Sequence, residues 1–273
     1  MATVGYTVRP PAVAGTFYPE SRADLEEMVT GLLAAARAAS PEGTRRVPKA
    51  VIAPHAGYIY SGPIAASAFM ALAGSSGRAA EIRKVVLLGP AHRVPVRGLA
   101  LPEAKGFATP LGVVELDPEM ARAASRLPQV RLQPEAHAPE HSLEVELPFL
   151  QVLLGRFTFL PLVVGDASGE EVAEVLEAVW GDEETAVIIS SDLSHYLPYD
   201  TARQVDRETA DAILRLEGPI DPRRACGAYP INGLLVAAER RGLVPELLDL
   251  RNSGDTAGDR RQVVGYGAFA FHD

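Results

Sequence analysis

The chain has 273 residues, 47% hydrophobic and 22% charged, enough length and apolar content to bury a full core in one large α/β domain. A formal net charge of -9, with no basic stripe, excludes a general nucleic-acid binder, because such proteins neutralise phosphates with clustered Lys and Arg. No window reaches the roughly 18 apolar residues of a membrane span, no basic segment leads into an apolar N-terminal core, and the lone Cys226 can form no intramolecular disulfide, so the chain reads as a soluble cytoplasmic protein.

Residues 8–19, with Arg9-Pro10-Pro11 and Pro19, read as an extended arm. Ser21, with Asp24 three residues on, caps a predicted helix whose apolar face is Leu25, Met28, Val29, Leu32 and Leu33. An exposed loop is expected over 40–47, then a strand over 48–54 and a helix capped by Ser61, with Pro63 in its first turn and Gly74 at its end. The run over 84–88 has no polar alternation, as in a strand covered on both faces. Between 96 and 116, Val and Leu runs broken by Pro102, Gly106, Pro110 and Gly112 predict a short hairpin or sheet-edge excursion. Asp117-Pro118-Glu119 opens a helix to about Leu127, and Pro139-Glu140-His141 opens another. A strand over 157–164 precedes a helix to Trp180 with Ser168 and Glu171 as its capping box. There follow a strand over 185–190, a helix from about Asp200 to Leu216, a helix from Tyr229-Pro230 through Arg240, and strands over 243–250 and 262–271. Alternation of strands and helices implies a single-domain α/β sandwich over residues 1–273, with a mixed, largely parallel central sheet.

Three stretches share one construction: Val51-Ile52-Ala53-Pro54-His55, Val85-Val86-Leu87-Leu88-Gly89-Pro90-Ala91-His92, and Val187-Ile188-Ile189-Ser190-Ser191-Asp192-Leu193-Ser194-His195. Each is a buried strand that releases a histidine at its exit. In open α/β sheets ligands bind beyond the carboxyl ends of the strands, so these histidines are predicted to converge. His55 and His92 are candidate metal ligands, neutral imidazole being the commonest. Cys226 is the third, placed before a predicted helix whose N-terminal dipole favours thiolate. Two histidines and a thiolate leave a metal position open, as in the two-His, one-carboxylate arrangement of non-haem iron. Asp192 and His195, three residues apart, suit an acid-base pair or an aspartate orienting an imidazole. His141 and Glu144 are placed together on one helix face, while Glu140 reads as a first-turn carboxylate favoured by the dipole. Residues 252–259 are turn-rich, consistent with a phosphate site or a plain connection. There is no Walker loop, no strand-linked G-x-G-x-x-G and no G-x-S-x-G elbow, while a metal-free Cys-His nucleophile stays as a rival reading.

Taken in order, the arm 9–19, Ala53-Pro54-His55-Ala56-Gly57-Tyr58, Leu88-Gly89-Pro90-Ala91-His92, Glu140-His141-Ser142-Leu143-Glu144, residues 190–195, Ala225-Cys226-Gly227, residues 252–255 and Val264-Gly265-Tyr266 resemble the Memo family over the full length. In prokaryotes that family includes the Memo-like component of AmmeMemoRadiSam systems. The resemblance implies a fold similar to class III extradiol dioxygenases, a metal held by His55, His92 and Cys226, and His195 as acid-base catalyst with Asp192 beside it. Cys226 stands where those dioxygenases use a glutamate. On this reading His141, Glu144 and Tyr58 contact substrate, the ion is Fe(II) with copper or zinc as alternatives, and AMMECR-like and radical-SAM proteins are expected partners. Two functions follow: a metal-dependent redox enzyme acting on a small-molecule or peptide ligand, or a metal- or ligand-binding protein without turnover that docks a partner or anionic ligand in the same cleft.

Overall fold

A computed structural model describes residues 7–39, 47–74 and 81–273, so the loop expected over 40–47 lies almost wholly outside the described residues. The strands are β1 (Val8–Arg9), β2 (Ala50–Ala53), β3 (Lys84–Pro90), β4 (Leu99–Leu101), β5 (Gly106–Thr109), β6 (Gly112–Leu116), β7 (Val130–Leu132), β8 (Thr158–Val164), β9 (Thr185–Ser190), β10 (His195–Leu197), β11 (Val244–Asn252) and β12 (Val263–His272). The helices are α1 (Arg22–Ala39), α2 (Tyr58–Ala73), α3 (Pro118–Ala124), α4 (Pro134–His137), α5 (Leu147–Leu154), α6 (Gly169–Val179), α7 (Tyr199–Leu214) and α8 (Ala228–Arg241). One mixed sheet runs β1, β5, β6, β8, β3, β9, β2, β12, β10, with β11 on β12 and β4 between β7 and β8. Its centre, β6 through β8, β3 and β9 to β2, is parallel, and the antiparallel pairs lie toward the margins.

Period-two alternation explains why the central strands are apolar throughout. Val51, Ala53, Val85, Leu87 and Ile188 point into the core formed with α1, α2 and α5. Ala50, Ile52, Val86, Leu88, Val187 and Ile189 point to the opposite core, against α3, α6, α8 and part of α7. Each Val, Leu or Ile among them, fully buried, contributes roughly 1.5–3 kcal/mol. The capping devices expected at Asp117 and Ser168 are formed, the latter with both reciprocal hydrogen bonds to Glu171. The excursion expected over 96–116 is the β5–β6 hairpin together with β4.

Residues 252–259 join β11 to β12, one of the two readings open for them, through a 3-10 turn at Ser253–Asp255 capped by Asn252. Two expectations change. Helix α2 begins at Tyr58 rather than after Ser61, whose hydroxyl donates to the Ala56 carbonyl from within the first turn. No α-helix runs on from Pro139; a 3-10 turn at Glu144–Glu146 leads into α5. The cause is Arg9, 128 residues upstream of His137, whose guanidinium takes the His137 and Glu140 carbonyls as acceptors. A helix opening at Pro139 would have needed the Glu140 carbonyl for its own ladder. Among the described residues, no helix is long and apolar enough to cross a membrane.

Candidate metal centre

The parallel registers of β9 with β2 and β3 bring the C-terminal ends of these strands to one edge of the sheet. His55 follows β2 and His92 follows β3, while the loop carrying His141 docks against the end of β3. Gly89 makes that docking feasible, since a Cβ there would stand 2.7 Å from Ser142 Oγ and 2.9 Å from Leu143. The Ser142 hydroxyl donates to the Pro90 carbonyl and closes the contact. His55, His92 and His141 thereby form a cluster whose ligand-type atoms all lie within 4.8 Å of one another. The His92 and His141 rings stack with centroids 4.7 Å apart, and His55 meets both edge-on.

The orientation of two of these rings is set behind the cluster. His55 Nδ1 lies 2.7 Å from Ser190 Oγ, and His92 Nδ1 lies 2.9 Å from Glu140 Oε1. With Nδ1 carrying the proton in each, Nε2 keeps its lone pair for a ligand, which is how outer hydrogen bonds prepare metal-binding imidazoles. Glu140 also accepts from the backbone N–H groups of His92, His141 and Ser142. Burial alone would raise its pKa, but these hydrogen bonds, led by that of His92, outweigh it and hold the carboxyl down at about 2. Burial and then the neighbouring imidazoles push the pKa of His55 down, and burial lowers that of His141 to about 4. Both rings are therefore neutral near pH 7, as a metal ligand must be. His141 Nδ1 is buried and faces Glu140 Oε1 at 3.3 Å.

Cys226 flanks this cluster. Its Sγ is 3.3 Å from His55 Nε2 and accepts the Asp192 N–H. The helix-dipole argument for a ready thiolate does not hold in the metal-free protein: α8 starts two residues later, and burial followed by the nearby Asp192 charge pushes the thiol pKa up. Asp192 does not orient His195. One carboxylate oxygen accepts the His55 N–H at 2.9 Å, and the group also receives the Ala56 N–H, so it shapes the turn that presents His55. Residues 191–194 form no helix, and the three-residue spacing therefore puts Asp192 and His195 on no common face. Burial raises the Asp192 pKa to about 7. His195 sits where β10 pairs with β12, and burial lowers its pKa.

Glu144 and Tyr58, anticipated on the substrate side, are used internally. Glu144 is fully buried and accepts from Arg9, from the Ala12 and Val13 N–H groups and from the Tyr18 hydroxyl, tying the N-terminal arm to the His141 loop. The Tyr58 hydroxyl donates to the Val145 carbonyl. Ser190 and Glu146, behind His55, were not singled out in the sequence. The available signal was Leu143-Glu144-Val145-Glu146-Leu147, where acids alternate inside an apolar run and so are carried into the core.

A cavity of about 760 Å³ is lined by Ala56, Tyr60, Tyr196, Ser253, Arg261 and Tyr266 among others. Two of its lining residues, Ala56 and Tyr196, follow His55 and His195 in the chain, although neither histidine lines it.

A model of the family described as Memo-like protein matches residues 9–270. A MEMO1 family protein from Methanopyrus kandleri is 38% identical, the alignment covering 96% of this chain and 98% of the relative. Another from Aquifex aeolicus is 37% identical, with 95% and 97% covered, and one from Methanothermobacter thermautotrophicus is 36% identical, with 95% and 98% covered.

Proposed function

The chain belongs to the Memo family, and from that premise we propose that it is a metal-binding protein serving redox chemistry on a small molecule, with ferrous iron as the first candidate ion and copper or zinc as alternatives. His55, His92 and His141 would hold the ion, with Cys226 as the further donor. The observation that carries this reading is the pair of imidazoles, His55 and His92, whose Nδ1 atoms are committed to protein partners at 2.7 and 2.9 Å while the rings share one cluster.

The donor set fits such an ion. Imidazoles with a thiol suit zinc, copper and iron over magnesium or calcium. Metal–nitrogen bonds near 2.1 Å and metal–sulfur bonds near 2.3 Å place tetrahedral ligands about 3.6 Å apart, close to the 3.3 Å between Cys226 Sγ and His55 Nε2. His141, its ring buried and neutral, brings a third imidazole to the cluster.

When bound, the ion supplies a Lewis acid for a substrate oxygen and, if iron or copper, a redox centre. The remaining steps belong to the protein. The cavity beside Tyr60, Tyr196 and Tyr266 would hold the body of the substrate and position its polar end toward the histidines. His195, whose pKa burial lowers, would accept or return a proton through a ring nitrogen. AMMECR-like and radical-SAM partners remain part of the proposal through the family resemblance.

Anaerobic purification followed by metal analysis and oxygen-uptake assays with catechols tests the reading. His55→Ala and His92→Ala should abolish retention and Cys226→Ala should weaken it sharply. His195→Ala should retain most metal while losing about 10²- to 10⁴-fold in any turnover. Metal retention without turnover identifies a metal-holding protein. Wild-type protein that takes up neither iron, copper nor zinc under anaerobic conditions overturns the metal reading.

A further inference from the structure

We propose that Glu146 is a neutral carboxylic acid and that, through Ser190, it acts as a positioning residue for His55. This rests on the metal reading only for its consequence, since the proton follows from counting donors. Ser190 Oγ lies 2.7 Å from His55 Nδ1, 2.6 Å from the Ser142 carbonyl oxygen and 2.8 Å from Glu146 Oε1. The hydroxyl has one hydrogen to serve these three neighbours. The Ser142 carbonyl can only accept, so it takes that hydrogen. His55 Nδ1 and Glu146 must then each bring a proton to the Ser190 oxygen. Giving the serine hydrogen to a Glu146 carboxylate instead would leave two bare oxygens facing each other across the 2.6 Å contact with Ser142.

The surroundings of Glu146 agree. It is fully buried, and its second oxygen has no hydrogen-bond partner among the described residues. A carbonyl oxygen of an acid tolerates that position far better than a carboxylate oxygen does. Two residues earlier, Glu144 receives Arg9 and two backbone N–H groups, whereas the only hydrogen-bond partner of Glu146 among the described residues is Ser190. Burial pushes the Glu146 carboxyl well above the usual range, and the nearby Asp192 charge acts in the same direction against the Ser190 hydrogen bond.

The consequence is an asymmetry between the two imidazoles. His92 is supported by an ionised carboxylate, Glu140, which enriches its ring in electron density. His55 has its tautomer fixed by a neutral chain, so Nε2 is aimed into the cluster without added negative charge behind it.

The test uses the full chain with Glu146→Gln, Glu146→Leu and Ser190→Ala, with zinc(II) and cobalt(II) affinities from chelator competition and the cobalt(II) absorption spectrum. The Gln amide donates to Ser190 as the acid does, so that variant should bind within about threefold of wild type with the same spectrum. The Leu and Ser190→Ala variants should bind about 10- to 100-fold more weakly with an altered spectrum. Gln as damaging as Leu overturns the proposal, as does wild-type binding by both Leu and Ser190→Ala. If the Leu variant does not fold, the contrast between Gln and Ser190→Ala decides. Infrared difference spectra of metal-free wild type and Glu146→Gln read the proton directly: a carboxylic-acid C=O band lost in the variant is expected, and its absence from wild type overturns the proposal even if no metal binds. Failure of metal binding with that band present would sink the metal reading alone.

Discussion

Asp206 on α7 is buried beside the end of β10, and one of its oxygens accepts the Ser194 N–H at 2.9 Å, immediately before His195. Burial raises its pKa from 3.8 to about 6, with the Ser194 hydrogen bond pulling the other way. Between those two values the native state holds the proton more tightly than the unfolded chain does. Stability therefore falls as pH rises through that interval, and the cost is fully present above pH 6. A shift of this size corresponds to about 3 kcal/mol as an upper bound. Asp206→Asn removes the ionisation while its amide oxygen can still accept from Ser194. The variant should match wild type near pH 4 and exceed it at pH 7.5, by up to roughly 5–10 °C in Tm for a chain of this size. Guanidinium and thermal unfolding at pH 4, 5, 6 and 7.5 provide the comparison. A stability difference that is the same at every pH, or a variant less stable at pH 7.5, refutes the assignment of a buried, partly protonated aspartate.

Two other substitutions probe the supports of the metal cluster. Arg9→Met leaves Glu144 charged and fully buried, so denaturant unfolding should show a loss of about 3–5 kcal/mol; recovery of part of this loss in the Arg9→Met, Glu144→Gln double variant is the companion expectation. Glu140→Gln turns an acceptor facing the His92 N–H into a donor, and it removes the carboxylate behind the His92 ring. Metal affinity measured by competition should fall about 10- to 100-fold, in contrast to the small effect expected at Glu146→Gln.

The central strands, unlike the three-residue and partly exposed β7 and β10, were legible because they are apolar runs bounded by Pro, Gly or polar residues, with burial on both faces leaving no competing pattern. For the same reason the histidines at the exits of β2 and β3 could be grouped before any coordinates were known. The loop from Pro139 to Glu146 was not legible. Its local sequence favours a helix, but Arg9 takes the Glu140 carbonyl and that of His137 just before it, and Glu140 turns back onto three N–H groups, one of them at His92. Partners more than a hundred residues away carry no periodicity. Asp192 illustrates the complementary error: spacing suggested a pair with His195, while the real partner is the backbone of His55, 137 positions distant. The role of Glu144 was missed because an acid near a site histidine looks like a substrate contact until the arm that occupies it is in view.

The order of the strands bears on how the chain is made. β2, which delivers His55, lies between β9 and β12, so neither hydrogen-bonded neighbour has been synthesised when β2 leaves the ribosome. His55, Ser190 and Cys226 come together only after most of the polypeptide has emerged, and β10, which starts at His195, waits for residues 263 and 264 of the last strand. A nascent chain that stops short of β12 thus carries the histidines without the frame that aligns them, and it should compete poorly for a transition metal until translation is nearly complete.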